Sequence, residues 1–477
     1  MIIDKEERLP RELLAFLHDP KTSLLIKGAP GTGKTILALE LLRHFAQKGN
    51  AIYLSTRVSA EKLYGQYPWL KDTLPQERII ATKKKRAEKM VYPTRIKLLD
   101  LTLSGGAGFI RDVFEHAKGL EEPLIVADSW DGIAKELKEK VRIGIEKELV
   151  AGLEDMNGKV IFTSEEPEET TLDYLVDGVV TLHRAEIEGR EIREIELNKL
   201  RGVERKQHKY LFTLRGGRYR YFEPAPFVPP PLEKRRLDPV FKDKNPQTVS
   251  TCVDGLDDLL GGGWRKGSVN LLEVNQNVGV DYFGLIVPQL ISSVNGGRAV
   301  LVYPPGGQSG YVLGTAFMSG FVKPKNLDER VRFVQSKTSP RLREVPYVVH
   351  LDMSDPDRFE KEVSKLALEL IRSSKDGVGI IAFGLDMLER ELGPKAAMGF
   401  LNRISQAVKG GQLVLLLVLF EGQKLPRDVA HLADTYWKIV ERNRVCLLYG
   451  VVPPTGAYVL RIGFPEGYPE TRIIPIV

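Results

Sequence analysis

The sequence predicts an α/β protein made of two tandem domains of one design, each a mainly parallel sheet flanked by helices with an antiparallel β extension. Three observations predict it. Apolar runs of strand length alternate with stretches that have helical spacing. In each half these runs give way to segments that alternate with period two, the mark of an antiparallel meander. Between the halves lies "EPAPFVPPPLEKRRLDPVFKDKNPQT" (223–248), where proline blocks helix and sheet pairing and charge favours water. Domains are therefore expected over 1–222 and 249–477, with 223–248 as a linker lying along a neighbouring surface.

In the first half, "SLLIKG" (23–28) is a short apolar strand that ends in glycine. "TILALELLRHFAQKG" (35–49) is an amphipathic helix with a glycine stop. "AIYLST" (51–56), "PLIVADS" (123–129) and "GKVIFTS" (158–164) read as buried strands. "DGVVTLHRAEI" (177–187), "REIREIELNKL" (190–200) and "KYLFTLRGGRYRYF" (209–222) alternate as antiparallel edge strands do. The second half repeats the plan. "GSVNLLEV" (267–274) and "RAVLVYP" (298–304) are strands on either side of the helix "YFGLIVPQLISSV" (282–294). "GVGIIAFG" (377–384) and "GQLVLLLVLF" (411–420) are buried strands, and "RVCLLYGVV", "GAYVLRIGF" and "TRIIPIV" close the chain as a meander.

Composition excludes several classes. No apolar run reaches the ~18–20 residues of a membrane span. The N-terminus "MIIDKEERLPRELL" is charged and has no apolar signal core, so a cytoplasmic protein is expected. Two cysteines, Cys252 and Cys446, argue against a disulfide framework. A net charge of +6 over 477 residues is too small to claim nucleic acid as a partner. The basic stretches "ATKKKRAEKM" (81–90) and "EKRR" (233–236) are flanked by acids and lack interleaved aromatics, which favours solvated surface over nucleic-acid contact. The charged fraction of 28 % with 7 Met and 2 Cys leans toward hyperthermophile usage.

The chemistry is concentrated at Gly28-Ala29-Pro30-Gly31-Thr32-Gly33-Lys34-Thr35, followed by Ile36. It satisfies G-x-x-x-x-G-K-[ST] between an apolar strand and a helix, the setting of a P-loop for ATP. Glycines let the backbone curl so that its N–H groups face phosphate oxygens, and the helix N-terminus favours anions. Lys34 supplies charge at the β/γ oxygens, and the Thr35 hydroxyl can ligate Mg²⁺. The second metal ligand is expected to be Asp128, which leaves the end of a buried strand toward the ligand crevice. After the next strand, "TSEEPEE" (163–169) brings Glu165 and Glu166 as candidates to orient water, with Thr163 and Ser164 beside them; the alternative is a solvated acidic loop.

Taken together, the P-loop, "IVADS", "TSEEPEETTLDYLVDGVVTL" and "LNKLRGVERKQHKYLFTL" resemble the KaiC-like branch of the RecA superfamily of ATPases over most of residues 20–222. The resemblance implies RecA-like domains, ATP and Mg²⁺ as cofactors, and homo-oligomers such as a hexameric ring. It also implies that Lys199 and Arg201, in "KLRG", reach a neighbouring subunit's nucleotide as fingers. Two departures stand out. Thr56 and Arg57 occupy the place of the family's paired glutamates, with Glu61 four residues on, which puts fast hydrolysis in doubt. The family's opening segment is absent here, whereas the second half has it, as "GLDDLLGGG".

In that second half the loop Val274-Asn275-Gln276-Asn277-Val278-Gly279-Val280-Asp281 has no lysine and no metal-binding hydroxyl, and Gly384 replaces the strand-end acid, with Asp386 two residues on. This domain is read as degenerate, its role structural or regulatory. An intact domain followed by a degenerate one also resembles the archaeal gas-vesicle regulators of the GvpD type. That resemblance implies a regulatory, slow Mg-dependent ATPase acting through a protein partner or another copy of itself. The alternatives are a DNA-stimulated recombinase-like ATPase and a nucleotide-binding scaffold with negligible turnover.

Overall fold

The computed structural model describes residues 8–46, 50–55, 58–72, 79–81, 110–111, 113–135, 137–237, 240, 242–338, 343–425 and 429–477. The chain divides into two units, one holding the chain up to Phe222 together with Ile476–Val477, the other running from Glu223 to Pro475.

In the first unit the strands are β1 (Ser23–Gly28), β2 (Ala51–Ser55), β3 (Ile79–Ala81), β4 (Leu124–Asp128), β5 (Lys159–Ser164), β6 (Gly178–Ile187), β7 (Arg190–Leu200), β8 (Lys209–Thr213) and β9 (Arg220–Tyr221). They form one sheet in the order β3-β2-β4-β5-β1-β6-β7-β8-β9. Pairing is parallel from β3 through β6 and antiparallel from β6 to β9. Strands buried on both faces need no alternation, which is why β1 and β4 read as unbroken apolar runs.

Leu24 and Ile26 of β1 pack with Leu37 and Leu41 of helix α2 (Lys34–Phe45) and with Leu13 and Leu17 of α1 (Arg11–His18). Leu25 faces the opposite side, where Ile145, Leu149 and Leu153 of a helix over Glu139–Asp155 cover the sheet. One expectation needs correcting. Segment 177–187 is not an antiparallel edge: Gly178–Leu182 pair parallel with β1, and the whole strand then pairs antiparallel with β7. The apolar start, Val179, Val180 and Leu182, is buried beside β1, and the polar remainder outruns β1, so its alternation reports only the exposed end.

In the second unit β10 (Thr248–Val249) and β12 (Trp264–Arg265) pair as a small ribbon. The main sheet takes β11 (Val253–Asp254), β13 (Ser268–Val274), β14 (Ala299–Tyr303), β15 (Val331–Ser336), β16 (Val348–Leu351), β17 (Gly379–Gly384), β18 (Leu413–Phe420), β19 (Thr435–Arg442), β20 (Val445–Val452), β21 (Tyr458–Gly463) and β22 (Glu470–Pro475). Its order is β11-β22-β21-β20-β19-β13-β18-β17-β14-β15-β16, parallel from β16 to β19 and antiparallel through β20, β21 and β22. The plan is that of the first unit. β13 lies between β18 and β19 as β1 lies between β5 and β6, and a helix over Phe283–Asn295 follows it as α2 follows β1.

The proline-rich segment is part of this second unit. The Phe227 ring is buried, with ring centroids 5.6 Å from both Phe317 and Phe464, and its N–H donates to Asp281 Oδ1 at 2.7 Å. Arg235 lies over the Phe321 ring at 4.9 Å and donates to Ser319 O at 2.7 Å. The segment is a strap over the domain that follows it.

Candidate functional site

β1 ends at Gly28, and the chain reaches α2 through a loop that only glycine permits. Gly31 and Gly33 have φ of 77° and 104°. A Cβ at Gly28 would lie 2.5 Å from the Leu182 carbonyl oxygen, and one at Gly33 would lie 2.8 Å from Leu214 Cδ1. The Thr32 hydroxyl closes the turn by donating to Ala29 O at 2.9 Å. Gly33 caps α2, whose first N–H groups open toward the loop.

Lys34 is 7 % exposed. Its Nζ donates to Gly28 O at 2.7 Å and Ala29 O at 3.0 Å, and lies 3.9 Å from Glu165 Oε1. The ammonium is thus held against the carbonyls of the loop's first two residues. Thr35 Oγ1 donates to Asp128 Oδ2 at 2.8 Å. The same carboxylate accepts the Tyr53 hydroxyl at 2.5 Å and the Thr163 hydroxyl at 2.5 Å. Burial, and then the Asp128 charge, push the Tyr53 phenol well above its usual pKa, so it stays a proton donor.

Glu165 is placed by a residue that the sequence reading did not single out. Buried Asp131 accepts Ser164 Oγ at 2.8 Å and the Glu165 N–H at 2.5 Å. It stands in a short helix, Trp130–Ala134, directly after β4. Lys27 Nζ then ties the acidic loop down, donating to Glu168 O at 2.8 Å and pairing with Asp173 Oδ1 at 2.9 Å. Asp173 and Thr170 form a capping box on the helix Thr171–Leu175. Lys27 and Asp131 lie next to the glycine loop and the strand-end acid in sequence, but their partners Glu168, Asp173 and Ser164 come from far along the chain, so no short motif marks them. Glu166 is exposed, 3.9 Å from Lys135 Nζ.

Lys199 and Arg201 are occupied at home. Lys199 Nζ donates to Val176 O at 2.6 Å and Asp173 O at 3.2 Å, capping the helix Thr171–Leu175. Arg201 Nη1 pairs with Asp177 Oδ1 at 3.0 Å, and its side chain is 59 % exposed. Lys199 lines the cleft beside the glycine loop together with Lys27, Glu165 and Arg184; the cleft has about 890 Å³. Thr56 and Arg57 lie outside the described residues, as does most of "ATKKKRAEKM". Glu61 sits exposed in the first turn of the helix Ala60–Gln66.

Residues 14–198 match the family model "GvpD gas vesicle protein, P-loop domain". The first domain is similar to the GvpD P-loop domain. Likeness to GvpD proteins extends past it. Protein GvpD2 of Halobacterium salinarum is 24 % identical, over 98 % of this chain and 96 % of its own length. Protein GvpD1 of the same organism is 28 % identical over 62 % of this chain and 56 % of its own length. The GvpD likeness expected from the two-domain layout is therefore supported in its P-loop half by a family match and end to end by GvpD2.

The corresponding place in the second domain is built differently. Asn275 Nδ2 donates to Glu421 Oε2 at 2.7 Å, and Asn275 Oδ1 caps the short turn that follows. Tyr282 packs edge-on to Phe420 at 5.4 Å. Asp281 accepts the Phe227 N–H and lies 3.6 Å from Cys446 Sγ. A Cβ at Gly384 would stand 2.7 Å from Pro305 N, so no side chain fits there.

Among the described residues no group of three or more His, Cys, Asp or Glu converges as a metal site, and no helix is long and apolar enough to cross a membrane.

Proposed function

We propose that this chain binds ATP with Mg²⁺ in the first domain, hydrolyses it slowly, and uses the bound state to regulate gas vesicle formation through contacts with a protein partner or another copy of itself. The observation that carries the reading is the convergence of Lys34, Thr35 and Asp128 on one glycine loop. The residues fit the nucleotide. Gly28, Ala29, Pro30, Gly31, Thr32 and Gly33 supply the cradle, Lys34 the charge, and Thr35 with Ile36 the first turn of α2. Thr35 and Asp128 would hold Mg²⁺, with the remaining ligands from phosphate and water. Mg²⁺ supplies neutralisation of charge developing on the phosphates.

Slow turnover follows from the acids. Both oxygens of Asp128 carry hydroxyl donors, and Glu165 is shared with Lys34. Glu165 therefore has to part from Lys34 to orient water. The regulatory part rests on the likeness to GvpD proteins and on a second domain whose equivalent crevice is filled by its own side chains. Lys199 and Arg201 act in trans in this reading by leaving Val176 and Asp177 when a second copy docks.

A fluorescent ATP analogue titrated into the full chain tests the site: saturable Mg²⁺-dependent binding is expected, lost in Lys34→Ala. Unchanged affinity in Lys34→Ala refutes it. Single-turnover hydrolysis, with and without single-stranded DNA, separates slow turnover from none and regulatory from DNA-stimulated use.

A further inference from the structure

The hairpin of β6 and β7 carries two arginines directly opposite one another, Arg184 and Arg193. Both turn onto the glycine loop. Arg184 Nη2 donates to Gly31 O at 2.9 Å, and Arg193 Nη1 donates to the same oxygen at 3.1 Å. A P-loop aims its N–H groups inward at phosphate, so its carbonyls point outward. Here one of those outward carbonyls is gripped by two cations. Like charges at one acceptor repel, and Glu191 offsets part of that repulsion: its Oε1 lies 3.0 Å from Arg193 Nη2 and 3.8 Å from Arg184 Nε. The two guanidinium groups bring more positive charge than Glu191 alone neutralises, beside the glycine loop.

The two arginines are not equivalent. The Arg193 side chain is 11 % exposed, and its Nε is buried without a hydrogen-bond partner. The Arg184 side chain is 46 % exposed and lines the cleft with Lys27, Gly28 and Glu165. A buried guanidinium held by Gly31 and Glu191 is fixed. An exposed one on the cleft wall, with one carbonyl bond and a long ion pair, can exchange partners at little cost.

We propose that Arg184 and Arg193 form a two-arginine clamp on the glycine loop, in which Arg193 holds Gly31 in its phosphate-receiving shape and Arg184 trades its bond to Gly31 for one to the terminal phosphate of a bound nucleoside triphosphate. The proposal rests on the P-loop reading above. It assigns the first domain a triphosphate-sensing cation from its own chain, independent of Lys199 and Arg201 and of any second copy. Arg184 thereby distinguishes triphosphate from diphosphate, and Arg193 is a positioning residue that serves both.

The test is titration of fluorescent ATP and ADP analogues, with Mg²⁺, into the full chain and its Arg184→Ala, Arg184→Lys, Arg193→Lys and Lys34→Ala variants, at concentrations low enough to keep the protein monomeric. Arg184→Ala is expected to lower ATP-analogue affinity about ten-fold, the worth of one charge-assisted hydrogen bond, while ADP-analogue affinity changes less than two-fold. Arg184→Lys is expected to recover part of the preference, and Arg193→Lys to weaken both analogues alike. Equal affinities of wild type and Arg184→Ala for the ATP analogue, or an equal loss for both analogues, overturn the clamp while leaving the P-loop reading intact. Retention of binding in Lys34→Ala overturns that reading itself. Melting temperatures without nucleotide separate loss of fold from loss of contact.

Discussion

Thr35 Oγ1 and Asp128 Oδ2 stand 2.8 Å apart, hydrogen-bonded across ninety-three residues of sequence. One belongs to the first turn of α2 and the other to the end of β4, and only a parallel sheet with β4, β5 and β1 side by side brings them together. In the proposed function this pair would hold the divalent cation. Asp128→Asn removes the charge and replaces one accepting oxygen by an NH₂ group, which the Thr163 hydroxyl can meet by turning to accept. We expect nucleotide to bind this variant with about ten-fold weaker affinity in Mg²⁺ and with unchanged affinity in EDTA. Calorimetric titration in the two buffers checks it, and equal Mg²⁺ enhancement in variant and wild type would refute the assignment.

Asp131 sets the position of Glu165 through the Glu165 N–H and the Ser164 hydroxyl. In Asp131→Asn the amide oxygen can still accept the Glu165 N–H, but the NH₂ group then meets the Ser164 hydroxyl only if that hydroxyl turns to accept, and the charge-assisted bond to Glu165 is lost at a cost of about 1–3 kcal/mol. The Glu165 carboxylate then loses its fixed origin. Single-turnover hydrolysis is expected to fall about ten-fold with nucleotide affinity changed less than three-fold. A drop in affinity equal to the drop in rate would mean that Asp131 only supports the loop.

Glu40, on α2, is fully buried and accepts Arg218 Nη2 at 3.0 Å and Arg43 Nε at 2.9 Å. Burial alone would raise its pKa, but the two arginines outweigh it and hold the carboxyl below 4.5. A depressed carboxylate stabilises the fold fully above its unfolded pKa and loses that contribution as pH falls through the folded value. The first domain should therefore weaken below about pH 4.5. Glu40→Gln should be less stable at pH 7 by about 1–3 kcal/mol and should show a flatter acid limb in denaturant midpoints taken from pH 7 to 3. An acid limb identical to wild type would show that Glu40 is not the titrating group.

The sequence carried the fold class and the phosphate loop because both are local. A glycine spacing between a strand and a helix is readable in a few residues, and so are buried strands such as β4 and β18. What it concealed depends on partners far away in the chain. Strands β15 and β16 leave little trace in the sequence, since "VRFVQS" and "VVHL" interleave polar residues with apolar ones as the sheet runs out to its edge at β16. Asp131, Lys27, Arg184 and Arg193 look like ordinary surface charges until β5, β6 and β7 bring the acidic loop and the hairpin against Gly31. The finger residues Lys199 and Arg201 matched a motif, but their present partners, Val176 and Asp177, follow from packing that no short motif encodes.

Phe227 anchors the strap. It stacks on Phe317 at an interplanar angle of 9° and leans on Phe464, while its N–H satisfies Asp281. Phe227→Ala removes a buried ring from a mostly aromatic cluster and should cost the second domain about 3–5 kcal/mol. Differential scanning calorimetry on the full chain should show the transition of the second domain lowered and the nucleotide-stabilised transition of the first unchanged. A shift of both together would show that the strap's anchoring is not confined to its own domain.

Gly384 ends β17 where Asp128 ends β4, and the two strands hold the same place in their sheets. Restoring the acid at this place should not restore a site. The Cβ of Gly384→Asp would meet Pro305 backbone, N at 2.7 Å, and backbone does not yield as a flexible side chain would. Tyr282 and Phe420 also fill the adjoining space, and Asp281 stands where the loop would need a hydroxyl. The variant is expected to lose about 1–3 kcal/mol of stability and to bind no additional nucleotide. Stoichiometry by equilibrium dialysis with an ATP analogue should stay at about one per chain, the number a single phosphate loop allows. A second equivalent bound by Gly384→Asp would mean that the crevice of the second domain had kept its capacity and lacked only a carboxylate.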